Sequence, residues 1–207
     1  MTRKVRGPWA WIAAALLAAC AGPPAPVEPV KPVEARFPAV PKAPPGAFAL
    51  ANSNFEMDDR PGAMCATRWD CTAHANVRAF RYFRQVTPER RSFCVEPAPD
   101  AKKQEPWAQV TQGLFDPALR GTRVRFSIAL QLTGITGEGA GPWIQAQLLS
   151  SKGGKPTTDN VVRQTAEWQR HSVELDIPET AVSVEVGMLL KGGGRACFGD
   201  ARLEVLQ

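Results

Sequence analysis

Thr122-Arg-Val-Arg-Phe-Ser-Ile-Ala-Leu-Gln-Leu132 alternates apolar and polar side chains over eleven positions. Successive side chains of an extended strand point to opposite faces, so Val124, Phe126, Ile128, Leu130 and Leu132 share one face, with Arg123, Arg125, Ser127 and Gln131 on the other. Trp143 to Leu148, Gln169 to Ile177 and Ala181 to Leu190 show the same period. Between them stand Gly134 to Pro142, Gly153-Gly154, Pro178-Glu179 and Gly192 to Gly194, which read as turns and loops. Helical periodicity is nearly absent, with a single turn at most around Thr72 to Ala79 or Asp116 to Leu119. The pattern predicts an all-β, antiparallel sandwich. It would occupy residues 47–207, whose 161 residues suit one domain with a substantial core.

A resemblance sharpens that reading. Trp168 to Pro178, Val184 to Gly194 and Cys197 to Glu204 resemble the closing strands of galactose-binding-like jelly rolls, the sandwiches of many carbohydrate-binding modules. Asn54-Phe-Glu56 looks like their opening strand, Trp69 like the packed tryptophan that follows, and Gly121 to Phe126 like a central strand. The resemblance places Trp69 and Trp168 in the core. It also implies a calcium ion between the first and last strands, for which Glu56 and Asp200 are the matching carboxylates. A hard cation of that kind takes six or more oxygens, and Gly199-Asp200 brings one acid where the family often has two. No other cofactor is expected.

Upstream of the domain the composition changes. Arg3, Lys4 and Arg6 precede an apolar run from Trp9 to Ala19, about half the length of a membrane-spanning helix, and together they have the form of a secretory signal peptide over residues 1–19. Leu17-Ala-Ala-Cys20 resembles the lipobox of bacterial lipoproteins, which implies acylation of Cys20 and anchoring in a lipid bilayer. Ala21 stands where a retention aspartate would sit, so the resemblance points to the outer membrane of the cell envelope. Nine prolines between Ala21 and Gly46 exclude a packed core. Residues 20–46 are thus expected to be a lipidated cysteine and a semi-rigid tether reaching roughly 80 Å.

Processing at Cys20 alters the charge. The chain has 25 basic and 20 acidic residues, but three of the basic ones precede Cys20, which leaves 22 against 20. That balance gives no footprint for nucleic acid. Arg78, Arg81, Arg84, Arg90 and Arg91 interleave with Phe80, Tyr82 and Phe83, which suits a strand with solvated arginines.

Four cysteines then remain: Cys65, Cys71, Cys94 and Cys197. In an exported domain they read first as two disulfides, with three connectivities. The short spacing of Cys65 and Cys71 makes a local clip easy, and Cys94 with Cys197 would then tie an early strand to the last. Zinc held by Cys65, Cys71, His74 and Cys94 is the alternative, although no tight ligand pair is present.

Catalytic motifs are missing. His74 and His171 are the only imidazoles, and His171 falls on an inward face with Val173 and Leu175. No Gly-x-Ser-x-Gly or His-Glu-x-x-His occurs, and Pro156 follows Gly153-Gly-Lys155 where a phosphate loop needs Ser or Thr. The glycines of Gly134 to Gly141 link two strands, which makes a mobile loop and not a nucleotide cradle. The polar strand faces hold Arg125 and Gln131, Trp143 and Gln145, and Trp107 and Gln109. Aromatic faces under sugar CH groups with planar amides and guanidinium around the hydroxyls suit a glycan. The sequence therefore predicts a non-catalytic binding module for a glycan or envelope polymer. The alternative is a structural lipoprotein docking another envelope protein.

Overall fold

The computed structural model describes residues 41–57, 59–149 and 156–206. The signal segment, Cys20 and most of the proline-rich stretch lie outside them. In chain order the strands are β1 (Gly46–Phe48), β2 (Asp70–Ala73), β3 (Phe80–Val86), β4 (Arg91–Pro97), β5 (Trp107–Leu114), β6 (Arg123–Leu148), β7 (Thr157–Asp159), β8 (Ala166–Asp176) and β9 (Ala181–Val205). Single 3₁₀ turns at Val77–Ala79 and Pro117–Leu119 are the only helical elements among the described residues. Each begins at a side-chain cap, Asn76 on Arg78 N–H and Asp116 on Ala118 N–H.

Two long strands organise everything else. β6 and β9 pair antiparallel from Val124↔Val205 to Leu148↔Ala181. Their outer partners change midway. The first half of β6 takes β8 on its free side, while the second half of β9 takes β4, which pairs on to β3, with β1 alongside its end. The second half of β6 takes β7, while the first half of β9 takes β5, which pairs on to β2. One ribbon thus passes through both layers of a sandwich: β8-β6-β9-β4-β3 is the first and β7-β6-β9-β5-β2 the second.

The ribbon turns its corner on glycine. Gly192 and Gly194 have φ of +101° and +99°, which L side chains rarely adopt. A Cβ on Gly192 would lie 2.3 Å from the Thr136 carbonyl oxygen. Gly134 to Pro142 and Gly192 to Gly194, expected as loops, are therefore strand positions in a bend. Glycine allows close backbone approach at a corner just as it allows a turn.

The alternation predicted for the central strand is present. Val124, Phe126, Ile128, Leu130 and Leu132 are buried, and Ile144, Ala146, Val184, Val186, Met188 and Leu190 cover them from the second layer. Phe55, Trp69 and Phe198 close one end, with ring centroids 4.9 to 5.4 Å apart. Trp69 is core as expected. Trp168 is not: it is half-buried on edge strand β8, with the Arg90 guanidinium 4.5 Å from its ring centre. The expected opening strand at Asn54 to Glu56 is also a turn, because Asn52 and Phe55 both take positive φ; β1 opens the fold instead. Ahead of β1, Ala43 N–H donates to Ala118 O at 2.7 Å and Lys42 pairs with Glu179 at 2.8 Å.

Both disulfides form, Cys65–Cys71 and Cys94–Cys197, so the zinc alternative has no thiols left.

Candidate functional site

The corner in β6 divides the residues expected to bind ligand. Arg125 and Gln131 lie on the outer face of the first layer, while Trp143, Gln145, Trp107 and Gln109 lie on the outer face of the second.

On the first face the guanidinium groups are engaged. Arg125 Nε and Nη2 donate to Glu174 Oε1 at 2.8 and 2.6 Å, and Arg123 donates to Oε2 of the same carboxylate at 3.0 Å. Those bonds hold the Glu174 carboxyl below the usual carboxylate range. Glu96 is likewise shared by Arg195 and Arg81; burial raises its pKa, but the two guanidinium groups outweigh that and lower it. Gln131 donates to Glu167. This is a surface whose charges satisfy one another.

The second face is different. In β5, Ala108 and Val110 are buried inward, which turns Trp107 and Gln109 outward, half-exposed. Trp107 is fixed in place: the His74 ring meets it edge-on at 6.0 Å, and His74 Nδ1 lies 3.3 Å from the buried Glu105 carboxylate. Across β6 runs a chain of bonded amides. Gln147 Nε2 donates to Glu185 Oε2 at 3.0 Å and to Gln145 Oε1 at 2.8 Å, while Gln145 Nε2 donates to Thr157 Oγ1 at 2.6 Å. Trp143 was expected to be open to a ligand, yet it is only 6% exposed. Its opposite residue on β9 is Gly187, where the β5 backbone at Val110 and Thr111 approaches too closely for a Cβ.

At the end of this face, beyond Gly113, is a cavity of about 930 Å³ lined by Phe48, Arg68, Asp70, Leu114, Phe115 and Glu185, among others. Glu185 connects it to the amide chain. Gln112 builds its wall: Oε1 accepts from Ala51 N–H at 2.9 Å, and Nε2 donates to Ala51 O at 2.8 Å and Arg68 O at 3.0 Å. Arg68 sits at φ +72°, a strained backbone for a non-glycine residue. Sequence reasoning missed Arg68, Asp70, Gln112 and Phe115. Only Phe115 had a signal, since alternation through Thr111 and Gly113 puts an aromatic ring on an otherwise polar face.

Glu56 and Asp200, the suggested calcium ligands, do line a common cavity of about 480 Å³. The Asp200 carboxylate, however, is bonded to both Arg170 and Arg202, which already supply its counter-charge. No group of three or more His, Cys, Asp or Glu among the described residues could hold a metal ion.

No protein-family model and no curated protein matches the sequence. Solved structures do resemble the fold. A candidate sugar binding protein from Bacteroides thetaiotaomicron, 12% identical, has a TM-score of 0.54 over 74% of this chain and 97% of that one. The C-terminal family 22 carbohydrate binding module of Clostridium thermocellum Xyn10B is 15% identical over 74% of this chain and 90% of that one, with a TM-score of 0.48. The enzymatically active domain of bacteriophage CBA120 tailspike protein 4 is 10% identical over 76% of this chain, with a TM-score of 0.49. This chain spans only 21% of the tailspike domain. The domain is a β-sandwich, and it shares that fold with the Bacteroides protein. At these identities the likeness is one of fold.

Proposed function

We propose that the domain is a non-catalytic glycan-binding module, presented on a proline-rich tether by an acylated Cys20 at the outer membrane. The observation that carries the binding reading is the outer face of the second layer. There the half-exposed Trp107, held edge-on by His74, shares a surface with Gln109 and the bonded amides of Gln145 and Gln147. A fixed ring and fixed amides meet a sugar without first losing side-chain freedom, which favours binding. From Trp107 to Gly113 the face runs roughly 20 Å along β5, long enough for a polymer to lie across it.

Affinity electrophoresis through gels containing different polysaccharides tests the reading. At least one polysaccharide should retard the protein, and Trp107→Ala should abolish the retardation while leaving the melting temperature unchanged. Retardation by none, or equal retardation of Trp107→Ala, contradicts it. The anchor is tested separately. Cells fed an alkyne-bearing fatty acid should label the protein, and Cys20→Ser should lose that label and release the protein from the membrane fraction.

A further inference from the structure

We propose that the cavity at the end of β5 is a saccharide subsite. It takes one neutral pyranose ring, stacked on Phe115 and held through its hydroxyls by Arg68 and Asp70. The proposal rests on the glycan reading and extends it to residues outside the sheet face.

Three observations converge on this cavity. It is an open cleft of about 930 Å³, within the size range of small-ligand clefts. Phe115 is 80% exposed, the most exposed large apolar side chain among the described residues. One edge of its solvent-exposed ring lies over Gly113, close enough that a Cβ there would come within 3.3 Å of it. Gly113 thus leaves room for an aromatic floor at the cavity's edge. The apolar face of a pyranose covers such a ring, and burial of both surfaces stabilises the complex.

The polar groups are equally specific. Seven arginines elsewhere on this domain, Arg81, Arg84, Arg123, Arg125, Arg170, Arg195 and Arg202, reach carboxylates, whereas Arg90 stacks on Trp168 and Arg91 bonds a backbone carbonyl. Arg68 and Asp70 line one cavity and neither side chain has a hydrogen-bond or ion-pair partner among the described residues. The backbone that presents Arg68 is strained, and the buried Gln112 holds its carbonyl in place. Strain held by a dedicated buried amide is a means of aiming a side chain. A guanidinium fork donates to two neighbouring hydroxyl oxygens, and a carboxylate accepts from two hydroxyls.

Charge selects the class of sugar. Asp70, Asp116 and Glu185 outnumber Arg68 around the cavity, so uronic acids and sulfated sugars are repelled and neutral hexoses or pentoses are not.

The test is calorimetric titration of the full-length chain in detergent, using the neutral polysaccharide that retards it most and a polygalacturonate control. Phe115→Ala and Arg68→Gln are each expected to weaken binding of the neutral polymer about tenfold, with Phe115→Tyr close to wild type. Both altered residues are exposed, so the melting temperature should not move. Polygalacturonate should not bind. Unchanged affinity in Phe115→Ala and Arg68→Gln, with binding lost in Trp107→Ala, overturns the subsite and leaves the glycan reading standing. Tighter binding of polygalacturonate than of any neutral polymer overturns the assigned sugar class. Absence of saturable binding to any polysaccharide overturns both readings.

Discussion

The side chain of Gln112, buried in β5, grips the backbone of Arg68: Nε2 donates to the Arg68 carbonyl across 3.0 Å while also bonding Ala51. Two loops are thereby joined over one end of the sandwich, with Asn52 and Trp69 adding a second connection, since Trp69 Nε1 donates to Asn52 O at 3.1 Å. The cavity's shape depends on this clamp.

Gln112→Leu keeps much of the volume but strands the Ala51 N–H and two carbonyls in a partly buried place. Leaving such groups unpaired costs about 1–3 kcal/mol each, so the variant should lose at least about 2 kcal/mol in urea unfolding. An unchanged midpoint would show that the clamp contributes nothing.

Gly192→Ala attacks the corner instead. With φ at +101° and a Cβ forced to 2.3 Å from Thr136 O, the substitution should cost more than about 2 kcal/mol. Both layers should be affected, because β9 belongs to both. A circular dichroism melt that matches wild type would mean the bend does not need glycine.

Cys94 and Cys197 close a loop with a separation of 103 residues, while Cys65 and Cys71 are six apart. On the chain-entropy account the first bond contributes about 5 kcal/mol and the second about 2. Double alanine variants should rank in that order by thermal melting, and the reverse order would argue against the entropic account here.

Acid should loosen the domain in two windows. Burial lowers the pKa of His171, whose Nε2 is buried and has no hydrogen-bond partner among the described residues, so the unfolded chain takes up this proton first. Stability is therefore unaffected well above the ordinary imidazole pKa of about 6.5 and falls as pH drops from there toward the folded value. Glu96 and Glu174 have lowered pKa values, so their contribution is present above the ordinary carboxylate range and is lost as pH falls through their folded values. His171→Leu should remove the upper window alone, measured as urea midpoint against pH. A wild-type midpoint that stays flat from pH 7 to 5 would contradict the first part.

How much of this was legible in the sequence depends on what each residue type can signal. The strand at Val124 to Leu132 was readable because half-burial forces a period of two. The sheet corner was not, since Gly134 to Gly141 looks the same as a loop when the partner strand is unknown. That one misreading spread to the site: Arg125 and Trp143 stand on the same strand and the same outward set, yet the bend sends them to different faces. Trp168 was read as core, but its strand lies at an edge, where Arg90 covers it. Arg68 gives no warning at all, because its backbone conformation is imposed by Gln112, which lies 44 positions away in sequence.

The most direct measurement is the change in amide and indole NMR signals of the protein when the retarding polysaccharide is added. Shifts should concentrate on the Trp107 indole N–H, the side-chain amides of Gln109 and Gln145, and the backbone around Phe115, with Arg125 and Gln131 unmoved. Shifts confined to Arg125, Gln131 and their neighbours, or none at saturation, would contradict a glycan site on the outer face of the second layer.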